Sequence, residues 1–205
     1  MARSATSRTG SVLRWGLAII AGLVVGVYSA QKVMTSPGAS FATARGGIWR
    51  TSLDVGSTTA NPYVRAVVAR RGLLGLSSQE TVYYNAVVDR DGQPLREACD
   101  YEVTGKGLPA RWWSITLYAE DDFLARNADD APSIDATSIV AGPDGAWKAR
   151  ISRERAGAAN WVSSKAAGGM ALSLRVYNPA PTVIADPLSV DLPVIRLLGC
   201  RETSQ

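Results

Sequence analysis

Met170-Ala-Leu-Ser-Leu-Arg-Val-Tyr177 places an apolar residue at every second position, with Ala171, Ser173, Arg175 and Tyr177 between them. A period of two marks a strand with one face in a core and the other outside, because successive side chains of an extended chain point to opposite sides. Trp112-Trp-Ser-Ile-Thr-Leu-Tyr118 alternates in the same way and reads as a core strand. Thr81-Val-Tyr-Tyr-Asn-Ala-Val-Val88 is rich in β-branched and aromatic residues, which suit a pleated surface.

Turn signals punctuate these runs. Asp91-Gly92, followed by Pro94-Leu95, lies between Thr81–Val88 and Ala98–Val103 and predicts a hairpin. Asp144-Gly145 lies between Ser133–Ala141 and Ala146–Ser152 and predicts a second. Val190–Leu198 closes the chain, and Ile48–Val55 holds a short first strand. Many short strands separated by Gly, Pro and Asp-Gly turns argue for a mainly β domain, a sandwich or barrel. One helix interrupts the pattern. Asn61 is a good N-cap and Pro62 a good first helical residue, and Tyr63–Leu76 then carries Val64, Val67, Val68 and Ala69 at helical spacing, ending near Gly72–Gly75.

The N-terminus is of another kind. Trp15–Ala30 (WGLAIIAGLVVGVYSA) carries no charge, and Val12, Leu13, Val33 and Met34 extend it. About 20 mainly apolar residues cross a bilayer as a helix. Trp15 and Tyr28 stand near its ends, where interfacial aromatics are common. Arg3, Arg8 and Arg14 precede the apolar run and only Lys32 follows closely, so the positive-inside rule predicts a single pass through the cytoplasmic membrane with the domain on the periplasmic or extracellular side. A cleaved signal peptide is the competing reading and delivers the domain to the same compartment. Gly22-Leu-Val-Val-Gly26 has the GxxxG spacing that lets two helices approach, a candidate homodimer contact. The organisation read from the sequence is a cytoplasmic stub and anchor over residues 1–34, a Gly-rich linker over 35–47 and a β domain over 48–205.

The net charge of +4 belongs to the anchor. Four of the 22 basic residues fall in 1–36, with no acid, which leaves 18 basic against 18 acidic residues beyond it. A neutral domain carries no electrostatic footprint for nucleic acid. The chain has no histidine, which excludes Ser-His-Asp triads, Cys-His dyads and His-based zinc sites. No G-x-S-x-G elbow, phosphate-binding glycine loop, dinucleotide fingerprint or Cys-x-x-Cys is present, so no cofactor and no metal are expected. Asp89-Arg-Asp91-Gly92 starts like a calcium loop, but Pro94 stands at the position that loop needs for glycine, and the turn reading prevails. The two cysteines, Cys99 and Cys200, are a candidate disulfide in an oxidising compartment; two buried free thiols are the alternative.

A set of residues in order carries a family likeness: Asn61-Pro62-Tyr63 with Arg65-Ala66, Tyr83 or Tyr84, Asp91-Gly92 with Leu95, Tyr101, Trp113-Ser114 with Tyr118, Ser133, Asp144-Gly145, Asn160-Trp161, and Arg175 with Tyr177 and Pro179. Over roughly residues 48 to 197 the chain resembles the DUF1214 family, a bacterial domain of unknown function whose members often follow a DUF1254 domain in longer chains. The resemblance implies a jelly-roll-like β-sandwich; with the helix read after Asn61-Pro62, the expected fold is mainly β, such a sandwich with one short helix. It supplies no activity and no catalytic residues.

Candidate ligand-binding residues follow from chemistry. Arg175 and Tyr177 share one strand face, and an inward Arg175 needs a carboxylate or carbonyl partner, with Asp144, Asp135 and Glu120 as candidates. Asn160 and Trp161 lie in an irregular Ala/Gly/Ser stretch, and Trp112, Trp113, Trp147 and Trp161 with Tyr118 are rings that line a groove or fill a core. Arg175, Tyr177, Asn160, Trp161, Trp113 and Tyr118 are therefore the expected binding set, with an ion pair and core packing as the alternative roles. The acidic runs Glu120-Asp121-Asp122 and Asp129-Asp130 read as solvated loop charge. The functional expectation is a membrane-anchored cell-envelope module that binds a glycan, a lipid head group or a protein partner, or has a structural role. The alternative is a carboxylate-based hydrolase of envelope polysaccharide, which requires two acids converging in one cleft; the sequence does not decide whether the chain is an enzyme.

Overall fold

The computed structural model describes residues 8–35, 42–44, 47–70 and 75–201. Arg3, much of the expected 35–47 linker and the expected helix end at Gly72–Gly75 fall largely outside them. The chain divides into two units, Met1–Ala39 and Ser40–Gln205.

The first unit holds α1 (Arg8–Thr35). Its stretch Gly10–Lys32, 23 residues, is long and apolar enough to cross a membrane, and none of it is buried within the chain. At 1.5 Å per residue such a stretch spans about 35 Å, against a hydrocarbon core of ~30 Å.

The second unit runs β1 (Ala42–Thr43), β2 (Arg50–Thr51), α2 (Pro62–Arg70), β3 (Thr81–Ala86), β4 (Cys99–Gly105), β5 (Ala110–Ala119), β6 (Ser133–Asp135), β7 (Trp147–Ser152), β8 (Trp161–Ser163), β9 (Met170–Pro179), α3 (Pro181–Ala185) and β10 (Val194–Cys200). It is mainly β. One sheet has the order β1-β2-β3-β9-β5-β6, the other β10-β4-β7-β8. All pairings are antiparallel except β7 with β8.

The alternation of β9 is realised in full. Leu172, Leu174 and Val176 are each 0% exposed, a burial worth about 1.5–3 kcal/mol per side chain. Beside them on the same face lie Val82, Tyr84 and Ala86 of β3 and Trp113, Ile115 and Leu117 of β5. The second sheet sends Tyr101, Val103, Ala149, Ile151, Val162 and Ile195 into the same apolar cluster. Trp113 of β5 stacks on Trp147 of β7, ring centroids 5.0 Å apart, and so joins the two sheets.

The two expected hairpins are corrected. Around Asp91-Gly92 the chain does fold back: Asp89 N–H donates to Gln93 O at 2.9 Å and Leu95 N–H to Val87 O at 3.0 Å. The Asp89 carboxylate accepts the amides of Asp91 and Gln93, both at 2.9 Å. The ladder goes no further than Val87–Leu95, because Leu95 O accepts the amide of Met170 at 3.2 Å instead of continuing it. β3 stays in the first sheet, between β2 and β9, while β4 enters the second, between β10 and β7. Asp144-Gly145 behaves alike: a local turn closes at Ala141–Trp147, but β6 pairs with β5 and β7 with β4. Both turns carry the chain from one sheet to the other.

Three elements were not expected. β8 forms where an irregular stretch was read, because Asn160 and the parallel register with β7 hold it in place. The two-residue β1 pairs with β2. α3 is a single turn begun by Pro181 that buries Val183, so the described residues of the domain hold two short helices where one was expected. α2 is capped as expected, Asn61 Oδ1 accepting the Tyr63 amide at 2.8 Å. Cys99 and Cys200 stand opposite each other in the β4–β10 register and are joined by a disulfide.

Candidate functional site

Because Leu172, Leu174 and Val176 point into the core, Ser173, Arg175 and Tyr177 point to the other face of the six-stranded sheet. Directly paired residues share a face, so the register sorts the neighbours into rows. One row runs Arg50, Asn85, Ser173, Thr116, Ser133; the next runs Tyr83, Arg175, Ser114, Asp135; a third runs Thr81, Tyr177, Trp112. This outer face is built of hydroxyls, aromatic rings and cations where the inner face is aliphatic.

Arg175 is its centre. The half-buried guanidinium donates to Thr116 Oγ1 at 3.2 Å and to the Tyr118 hydroxyl at 2.5 Å, and lies 5.5 Å from the Tyr118 ring centroid. The side chain therefore leans back along the sheet toward β5. The expected acid partners are all engaged elsewhere. Asp135, in the same row as Arg175, gives Oδ1 to the amides of Thr137 and Ser138 at 2.7 and 3.0 Å and Oδ2 to the Ser138 hydroxyl at 2.9 Å. Burial pushes its carboxyl up, but these bonds from Ser138 and Thr137 outweigh that and hold it below the ordinary range. Asp144 accepts the Ala146 amide, and Glu120 the Gly169 amide. Among the described residues no carboxylate lies within 4.0 Å of Arg175. A partly desolvated guanidinium with donors to spare and no counter-charge favours an anion beside it.

Two further groups shape the face. Trp112 and Tyr177, opposite each other in the register, have ring centroids 5.1 Å apart, and Trp112 Nε1–H donates to Thr137 Oγ1 at 2.9 Å, which fixes the indole. Tyr83 is buried and its hydroxyl accepts the Leu76 amide at 3.2 Å. Burial pushes this phenol above its ordinary value, against the opposing pull of the Leu76 amide and the Arg175 guanidinium.

Of the six residues expected from the sequence, the structure brings three together on this face: Arg175, Tyr177 and Tyr118. Trp113 is in the core against Trp147. Asn160 is 6% exposed, and its amide is consumed by Val140 N–H (2.7 Å), Val140 O (2.8 Å) and Lys148 O (2.8 Å). Trp161 belongs to the other sheet, its indole N–H shared between Ser152 O and Oγ. The rings of Trp112, Trp113, Trp147, Trp161 and Tyr118 thus do not line one groove. Thr116 and Ser173 join the face without having been singled out, although their parity with Tyr118 and Arg175 was the available signal. The acidic runs hold turns and loops: Asp121 accepts the Phe123 amide and Asp129 the Ser163 hydroxyl. Among the described residues no group of three His, Cys, Asp or Glu is placed to hold a metal ion.

A two-sheet β domain with a polar, aromatic outer face is the class this geometry defines. Residues 80–181 match the model of DUF1214, described as a protein of unknown function, and the chain belongs to that family. The match spans β3 through the start of α3, and so contains Arg175, Tyr177, Thr116, Tyr118 and Trp112. No protein of curated function matches the sequence. Among solved structures, the VPA0106 protein of Vibrio parahaemolyticus aligns at 23% identity with a TM-score of 0.55, over 69% of this chain and 36% of its own. That likeness is one of fold. An uncharacterized protein of Burkholderia cenocepacia aligns at 16% identity with a TM-score of 0.47, over 65% of this chain and 33% of its own. The chain thus spans about a third of the length of either structure.

Proposed function

We propose that this chain is a membrane-anchored binding module of the cell envelope, and that it captures an anionic group on the outer face of its six-stranded sheet. The observation that carries the reading is Arg175: a guanidinium held by Thr116 and Tyr118, with no carboxylate within 4.0 Å among the described residues. The two packed sheets are read as a jelly-roll-like β-sandwich that holds this face rigid. Two features support a periplasmic position. Arg8 and Arg14 precede the apolar stretch of α1 and only Lys32 follows it closely, as for a helix whose N-terminus faces the cytoplasm. The Cys99–Cys200 disulfide suits an oxidising compartment. The acids around Glu120 and Asp129 serve loops, so no observation favours a carboxylate hydrolase.

The test is the melting temperature of the full chain in detergent micelles against rising acetate and phosphate, at fixed ionic strength set with chloride. A ligand that binds only the folded state at 100 times its Kd stabilises by about 2.7 kcal/mol. The wild type is expected to gain stability with the oxyanion and Arg175→Gln to gain none. Equal responses of the two proteins refute the reading. Protease added to spheroplasts is expected to degrade the domain; protection of the domain would place it in the cytoplasm instead.

A further inference from the structure

We propose that the ligand of this face is an acidic oligosaccharide, a chain of sugar rings bearing a carboxylate; the inference rests on the anion-binding reading of Arg175 and names its substrate class. Three observations carry it. The first is the shape of the cation: a planar guanidinium matches a planar carboxylate through two parallel N–H···O bonds, where an ammonium offers only a point charge. The second is Ser173. It is 2% exposed, it lies on the face of Arg175 two residues earlier on β9, and its hydroxyl has no hydrogen-bond partner. A buried hydroxyl left unpaired costs free energy unless something completes it, and an oxygen of a ligand on Arg175 would do so. Ser173 is paired in the register with Thr116, the residue that holds the guanidinium.

The third observation is the position of the aromatic pair. Trp112 and Tyr177 pack with their rings tilted 52° to each other and the indole fixed by Thr137, and an indole face held in this way packs against the C–H surface of a sugar ring. Arg175 leans away from that indole, toward Thr116 and Tyr118. From Trp112 to Thr116 is four residues of β5, about 13 Å at the rise of an extended chain. A single sugar ring is too short to touch both ends, whereas two or three linked rings can. Between the two ends lie hydroxyls, the partly exposed Thr116 of β5 with Ser114 and Ser173 buried beside it. The site is therefore elongated, with the carboxylate at Arg175 and a neutral ring on Trp112.

Titration calorimetry on the full chain in micelles tests this with four probes: a uronic acid trisaccharide, the corresponding monosaccharide, a neutral trisaccharide of equal length and inorganic phosphate. The acidic trisaccharide is expected to bind at least tenfold more tightly than the monosaccharide, and the neutral one at least tenfold more weakly than the acidic one. Trp112→Ala is expected to abolish the advantage of length and leave monosaccharide binding within twofold. Ser173→Ala is expected to leave the melting temperature unchanged or raised, since it removes an unpaired group, yet to weaken the acidic trisaccharide severalfold. If phosphate binds as tightly as the acidic trisaccharide, or length confers nothing, the saccharide inference fails while the anion site stands. If no anion binds, both fail together. If Ser173→Ala binds like wild type, the hydroxyl is no part of the site and the inference loses its second support.

Discussion

Reducing the Cys99–Cys200 bond should cost much of the stability of the domain while leaving its native structure in place. The bond ties β10, an edge strand, to β4 at the last pair of their register, and it closes a loop with a sequence separation of 101. In the folded protein β10 has other anchors: the pairs from Val194–Thr104 to Leu197–Tyr101, and Ile195 at 0% exposure. The bond therefore acts chiefly on the unfolded chain, whose freedom it restricts. For a closed loop of about 100 residues that restriction is worth ~4.7 kcal/mol. Against the 5–15 kcal/mol typical of whole domains, roughly a third or more of the stability rides on it. Urea unfolding of the full chain in micelles, followed by tryptophan fluorescence with and without reductant and repeated on Cys99→Ser/Cys200→Ser, measures the difference. A loss of about 3–5 kcal/mol is expected, with an unchanged native far-ultraviolet spectrum. A loss below about 1 kcal/mol, or a native spectrum altered in the absence of urea, would refute the reasoning. The first means the loop is not what the bond restrains; the second means the bond holds β10 in place.

Asn160→Ala removes three buried hydrogen bonds to Val140 and Lys148; it should lower stability by about 2–4 kcal/mol, read by thermal melting, without changing acidic ligand affinity. Gly105→Ala drives a methyl to 2.5 Å from Cζ2 of Trp147 and should cost about 1–3 kcal/mol, whereas Gly107→Ala, with nothing within 4 Å, should fall within about 0.5 kcal/mol of wild type. Acid should weaken the fold through Glu97 and Asp135. Burial pushes the Glu97 carboxyl up, but the amides of Gly168 and Ala166 and the guanidinium groups of Arg153 and Arg201 outweigh it and hold it low; Asp135 is held low in its turn. Both groups bind protons more readily in the unfolded chain, so their contribution is complete above the unfolded pKa of about 4 and is lost as pH falls through the depressed folded values. Glu97→Gln should therefore flatten the decline of stability below about pH 4 in urea titrations, with no effect on the slope between pH 6 and 9.

What the sequence made legible was local. The alternation of Met170–Tyr177 and Trp112–Tyr118 identified β9 and β5 because period two is written in the residues themselves. Asn61-Pro62 marked the start of α2 because cap and first turn are neighbours in the chain. The Asp-Gly turns were found as well, but their partners were not. Hairpin logic pairs a strand with the next one, whereas here β3 pairs with β9, nearly a hundred residues away, and past the local turn Leu95 O goes to the Met170 amide. The site divides along the same line. That Arg175 and Tyr177 share a face follows from parity on one strand. That Arg175 sits with Thr116 and Tyr118 rather than with Asp135 depends on the register between strands, and on Asp135 having a nearer use for its oxygens in its own turn. Asn160 and Trp161 resembled ligand contacts because a polar and an aromatic residue in a Gly/Ala/Ser stretch has no visible packing role; the role came from Val140, Lys148 and Ser152.

The binding face is tested most directly by the proton–nitrogen spectrum of the full chain in micelles, with the tryptophan indoles assigned by substitution and the acidic trisaccharide added stepwise. The indole N–H of Trp112 and the guanidinium N–H signals of Arg175 should shift and saturate together, while those of Trp113, in the core, and Trp161, on the other sheet, stay in place. Shifts at Trp161 with Trp112 and Arg175 unmoved, or no shift at any of them, would contradict an anion site on the outer face of the six-stranded sheet.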